Sequence, residues 1–323
     1  MSDPRPKPDG PPKTEEPRSK LIAHRVLAAS SHPIRTPAVL AGLVLALLAG
    51  AAAAHPGIGI VLDAAGNVFY TDLRQVWRIA PDGTKSVAVP AVHTHELVLD
   101  EAGNLYGEHL WYKGEATERW GHRVWRRAPG GEVTTILGPR PGFLTDWSFV
   151  RDAAGNHYWF DRGQDLRARR VTLRRRSPDG TVVRHAPALE FANVSWLAAA
   201  PDGTLYFMEG ADLRRVAPDG SAATLSRGLA RRALGQFHVA ERHAVMGLWT
   251  DRDGGVYAAL YGARVVERVR PDGSGEEVAR SPFSWGPTGG LVGPDGSLWI
   301  LEYSVTNQAR VRRRFSDGRE RVY

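Results

Sequence analysis

Apolar residues in this chain fall in short runs, and run after run stops at a glycine-centred turn. The first complete example begins at Ile58. Residues 58–62 are mostly apolar, Asp63-Ala64-Ala65-Gly66-Asn67 is a tight-turn sequence, and Val68-Phe69-Tyr70 is β-prone again. A further β-prone run, Val76-Trp77-Arg78-Ile79, ends at Pro81-Asp82-Gly83. Glycine takes the positive φ that a short hairpin loop requires, and Asp or Asn bonds the turn backbone. The alternation around Val68-Phe69-Tyr70 fits a strand with two different faces. The stretch predicts two hairpins in succession.

The same unit recurs six times. Its first turn glycine is Gly66, Gly103, Gly155, Gly203, Gly254 and Gly296, spaced 37 to 52 residues apart. An aromatic follows each one closely: Phe69, Tyr106, Tyr158, Tyr206, Tyr257 and Trp299. The second turn starts at Pro81, Pro129, Pro178, Pro218, Pro271 and Ser316, each time after a basic, β-prone run. Two hairpins per unit at this period predict a four-stranded propeller blade, and six units predict an all-β, six-bladed β-propeller. A lone blade cannot bury both faces, so blades stack around an axis.

The stretch from Gly57 to Gly83 resembles an NHL-type repeat. The six units together, about residues 56–323, resemble the NHL / gluconolactonase-like (SMP-30-like) propeller superfamily. Residues 246–273 are similar to a gluconolactonase-type blade, and Pro287–Glu302 to a virginiamycin B lyase-type blade. The resemblance implies the fold. It leaves hydrolase, lyase and non-catalytic binding module open, because this architecture hosts all three.

In an up-down blade of strands A to D, the A–B and C–D turns share one face. Both turn types are short and alike in all six units. The length variation lies on the other face, in the B–C loops at 109–122 and 161–170 and the link at 226–243. Variable loops on a uniform scaffold carry function, so the site is expected on that upper face, around the central channel. Residues opening strand A or ending strand B converge there. The ligand-binding candidates are His55, His93, Glu96, Trp147, Asn193, Trp196, Trp285, Glu302 and Tyr303. The tryptophans could stack a sugar or aromatic ligand, or pack between blades. His93 and His95, two apart, face one way on a strand. A divalent metal ion is therefore a candidate cofactor, with His95, Glu108, Glu209 and His243 as ligands, since imidazole plus carboxylate suits such ions. The alternative for the strand-B acids is pairing with strand-C arginines, among them Arg214 and Arg312.

Composition adds limits. The chain of 323 residues has no cysteine, which excludes disulfides, thiolate metal sites and cysteine nucleophiles. Residues 1–37 are polar, Pro-rich and basic, and are expected to be disordered. Residues 38–54 are uncharged and almost wholly apolar. They read as a signal peptide cleaved near Ala54 or as an uncleaved membrane anchor, with the propeller of residues 55–323 periplasmic or extracellular. Of the net charge of +7, the leader carries +3, so the propeller is only mildly basic. That and export disfavour nucleic acid as a partner. No Ser-His-Asp pattern, Walker loop or dinucleotide fingerprint occurs in a fitting context. The expectation is an exported propeller that binds a small molecule, glycan or protein on its upper face. The alternative is a metal-dependent, lactonase-like hydrolase, or a lyase with His and Glu at the axis.

Overall fold

The computed structural model describes residues 56–112, 119–142, 144, 147–162, 170–233 and 244–323. The expectations for residues 1–54, His55 and His243 lie outside these. The described residues form six antiparallel sheets in sequence order. Blade 1 is β1 (Ile60–Leu62), β2 (Val68–Thr71), β3 (Val76–Ile79) and β4 (Lys85–Val89). Blade 2 is β5 (Leu97–Leu99), β6 (Leu105–Trp111), β7 (Gly121–Arg127) and β8 (Val133–Pro141). Blade 3 holds β9 (His157–Asp161), β10 (Arg170–Arg176), β11 (Val182–Arg184) and β12 (Phe191–Ala192). Its outer strand is split, because β11 and β12 pair with opposite ends of β10. Its inner edge is residues 148–151, tied to β9 through the Arg151–His157 bridge. Blade 4 is β13 (Val194–Ala199), β14 (Leu205–Glu209), β15 (Asp212–Val216) and β16 (Ala222–Ser226), followed by the short helix α1 (Leu229–Arg232). Blade 5 is β17 (Val245–Thr250), β18 (Val256–Leu260), β19 (Val265–Val269) and β20 (Gly275–Arg280). Blade 6 is β21 (Trp285–Val292), β22 (Leu298–Ser304), β23 (Ala309–Arg314) and β24 (Glu320–Val322). No helix among the described residues is long and apolar enough to cross a membrane.

The turns form for the reason the sequence offers. Asp63 accepts Gly66 N through its carbonyl (3.1 Å) and Asn67 N through its carboxylate (2.7 Å), while Gly66 adopts φ +83°. A left-handed glycine closes the turn, as in a standard short hairpin loop. A methyl on Gly66 would lie 3.4 Å from Pro81 Cγ, and Gly103 and Gly155 stand the same way to Pro129 and Pro178. The A–B and C–D turns therefore sit side by side on one face.

Apolar side chains pack between neighbouring blades. Phe69, Val76 and Val89 of blade 1 meet Leu97, Leu105 and Trp125 of blade 2. Tyr158 and Leu173 of blade 3 meet Leu205 and Phe207 of blade 4. Burial of this kind stabilises by about 25 cal/mol per Å² of apolar area removed from water. The inner strands also bond one another sideways. Ile58 N and Gly59 N both donate to His95 O (2.9 and 2.8 Å). The Thr71 hydroxyl donates to Thr94 O (2.6 Å) and the Thr250 hydroxyl to Ala199 O (3.1 Å). Blade 6 closes on blade 1 in the same manner, through Thr288 Oγ1 to Gly57 O (2.7 Å) and Tyr303 OH to Thr71 O (3.0 Å). Each blade is one continuous segment, and no strand is exchanged to close the ring among the described residues.

Candidate functional site

Inner-strand residues of all six blades line a central cavity of about 660 Å³. Its wall mixes apolar side chains, among them Leu97, Phe149, Leu197, Leu248 and Leu291, with polar ones, among them Ser148, Arg151 and Arg252. Glu96 is the acidic side chain in that wall, and it stands at the upper end, just before β5.

Glu96 belongs to a cluster on the upper face of blade 2. The link that carries His93, Thr94 and His95 is held from several sides. His93 N donates to His109 Nδ1 (3.0 Å), and Leu110 N donates to His93 O (3.0 Å). The buried Thr94 hydroxyl donates to Glu108 O, and the Trp125 indole nitrogen donates to that same carbonyl (2.9 Å). This backbone cradle brings three side chains together. His95 Nδ1 lies 3.3 Å from Glu108 Oε1, and the His93 and His95 rings meet edge-on at 4.8 Å. Tyr112 also stands edge-on to His93, at 5.7 Å.

The cluster perturbs its own titration. Burial, with the Glu108 charge adding to it, pushes the Glu96 carboxyl up to about 7. Burial and the neighbouring His95 hold the His93 imidazole below its ordinary value. His93 Nε2 is buried with no hydrogen-bond partner. So is Trp196 Nε1, on a side chain that lines the channel from a bulge in β13. Buried polar atoms are nearly always satisfied, so an orphan on the channel wall, as Trp196 Nε1 is, marks a place where a ligand or water bonds.

The other candidates are placed elsewhere. Trp147 packs between blades 2 and 3, against Phe149 (4.7 Å), His157 (5.8 Å) and Tyr106 (6.1 Å). Asn193 is exposed and turns the chain at φ +51°, its carbonyl accepting Gly210 N. Trp285 is covered by the Arg310 guanidinium at 3.9 Å. Glu302 and Tyr303 point to opposite faces of β22, toward the two neighbouring blades, and both are fully buried. Glu302 accepts from Ser281 Oγ (2.6 Å), Arg310 Nε (2.7 Å) and Arg312 Nη2 (2.8 Å), and Tyr303 ties blade 6 to blade 1. Glu209 is likewise committed, to Arg214 (2.8 Å) and Ala192 N (2.9 Å). Asp161 pairs with Arg174 (3.0 Å). Strand-B acids on three blades thus serve strand-C arginines.

Among the described residues, no three His, Asp or Glu side chains form a group able to hold a metal ion. His95 and Glu108 are two donors that already face each other, one short of the three protein ligands a catalytic zinc takes. His55 and His243 lie outside the described residues. The described residues therefore do not make a metal centre.

Tyr112 was not among the sequence candidates. The period of a strand puts it on the same side as Glu108 and Leu110, which is the signal that could have found it.

No protein-family model matches this sequence, and no curated protein matches it in sequence. Solved structures match it in fold. A gluconolactonase from Xanthomonas campestris superposes with a TM-score of 0.53 at 17% identity, covering 76% of this chain and 83% of that one. A luciferin-regenerating enzyme gives 0.53 at 12% identity, over 78% and 85% of the two chains. A protein of unknown function from Bacteroides thetaiotaomicron gives 0.52 at 15% identity, over 84% and 71%. The chain is a six-bladed β-propeller that resembles gluconolactonase/SMP-30-like folds.

Proposed function

We propose that this chain is an exported propeller that binds a small molecule at the upper mouth of its central channel. One observation carries the reading: Glu96, with its carboxyl raised to about 7, sits where the central cavity meets the His93–His95–Glu108 cluster. Pockets of this kind combine apolar walls with a few converging polar groups. The apolar side chains of the wall, such as Leu97, Phe149 and Leu197, would hold an apolar body. Glu96, Glu108 and the orphan indole nitrogen of Trp196 would orient its polar end.

The test is a panel of small lactones, sugars and amines, read as shifts in melting temperature at pH 6 and pH 8. Hits are expected to vanish in Glu96→Gln and Trp196→Ala. A panel without hits, or hits indifferent to both variants, sinks the reading. Export, inferred from residues 38–54, is tested by cell fractionation of the tagged chain.

Glu96 also favours a second reading, acid–base catalysis at the axis in a lyase or hydrolase. A carboxyl that titrates near 7 can give or take a proton at neutral pH. In that case a bound hit is converted, and the rate carries a limb near pH 7 that Glu96→Gln removes. A metal-dependent hydrolase needs a further donor from beyond the described residues. Its sign would be stoichiometric metal on elemental analysis, lost in His95→Ala.

A further inference from the structure

At the lower end of the channel, on the face of the short turns, the six blades offer six equivalent residues at each level. The last residue of each inner edge is Leu62, Leu99, Arg151, Ala199, Thr250 or Val292. Two positions further on, inside the turn, stand Ala64, Glu101, Ala153, Pro201, Arg252 and Pro294. A single arginine interrupts each ring. Both arginines border one lower cavity of about 260 Å³, together with Ala153, Ala199, Pro201, Leu291 and one acid, Asp251. Five blades in six do without a cation at each level, so the scaffold does not require one.

Neither guanidinium has a carboxylate bonded to it among the described residues. Arg151 is steadied by stacking, over Tyr106 at 5.0 Å and Trp147 at 5.3 Å, and its Nε is buried without a partner. Arg252 is exposed. The acids nearby are already engaged. Asp100 accepts from Asn104 N (2.8 Å), Asn104 Nδ2 (2.9 Å) and Tyr106 OH (2.8 Å). Asp251 accepts from Gly255 N (2.7 Å), Asp253 N (3.0 Å) and Tyr257 OH (3.2 Å), and lies 3.3 Å from Arg268.

A partly buried guanidinium without a bonded counterion is costly, and it stays charged at neutral pH. Its forked donors match the oxygens of a carboxylate or phosphate. We infer that the lower channel mouth binds a small oxyanion, a carboxylate- or phosphate-bearing molecule, between Arg151 and Arg252. This site is separate from the upper mouth and independent of the reading given there.

Calorimetric titration of the full chain with inorganic phosphate, and separately with succinate, tests it. The blank is sodium chloride at matched ionic strength. One saturable site is expected with at least one probe, and the tighter probe identifies the anion class. Affinity should fall roughly tenfold or more in Arg151→Gln and in Arg252→Gln, as loss of a charge-assisted hydrogen bond implies, and stay unchanged in Glu96→Gln. Melting curves check folding. Arg252 is exposed, so its variant decides the matter if Arg151→Gln does not fold. No saturable heat with either probe, a response equal to that of chloride, or binding that survives Arg252→Gln would overturn the assignment.

Discussion

Glu96 meets a second acid and a histidine, whereas Glu302 meets two arginines and a serine. Company decides the behaviour of each. The folded-state pKa of Glu96 lies above its ordinary value of 4.5, at about 7. A raised carboxyl contributes its full stability below 4.5 and loses it as pH climbs through 7, because the folded state binds the extra proton in that window. Scanning calorimetry should therefore show the wild type losing stability relative to Glu96→Gln between pH 5 and 7.5. A constant difference across that range would remove Glu96 as the titrating group. For Glu302 the expectation concerns truncation. Glu302→Ala leaves Arg312 buried and short of its main partner, and should cost about 3–5 kcal/mol in urea unfolding. Both acids look alike in the sequence, each beside the end of a strand. What separates them is a partner on another strand or blade, which no local pattern encodes.

The repeated hairpin is the element most legible from residues alone. Its turn is written in five consecutive positions, and Gly66, Gly103, Gly155, Gly203, Gly254 and Gly296 all adopt positive φ where the alignment places them. The links between blades carry no such local code, and there the residues leave alternatives open. For Trp147 the sequence allows either ligand stacking or packing between blades, and it fills a blade interface, since its position depends on Tyr106 of the preceding blade. The arginines at the lower mouth stand out only when the same turn position is compared across all six units, because their equivalence is a property of the ring. The inner strands show a further demand. A methyl on Gly247 would overlap the Thr288 carbonyl oxygen, and one on Gly289 the Ile58 carbonyl oxygen. Gly247→Ala should destabilise by about 1–3 kcal/mol, as overpacking against backbone does. Gly138→Ala on β8, where a methyl meets nothing within 4 Å, should stay within about 0.5 kcal/mol. Chemical denaturation of the pair checks both.

For the molecule as a whole, the contact of blade 6 with blade 1 is one side-to-side interface among several, built from the same threonine and backbone bonds. Outer residues add to it. Arg321 reaches over the blade 1 turn at Gly83, from an edge that Tyr323 anchors within blade 6 by stacking on Trp299 at 5.5 Å. Removing one bond at this boundary, as in Tyr303→Phe or Thr288→Val, should cost about 1 kcal/mol. Amide exchange should then quicken together in blades 1 and 6 while blades 3 and 4 keep their protection; uniform quickening would mean the boundary is not a separate unit. The mechanical consequence follows from the contiguous blades. In a ring locked by an exchanged strand, a pull on the two ends would shear a row of backbone bonds at once. Here a load between residues 56 and 323 falls on side-chain packing and a few threonine and tyrosine bonds, so the ring parts at that seam first. Each blade is then free to unzip as its own segment, and a stretched molecule should lengthen in successive steps of about one blade each.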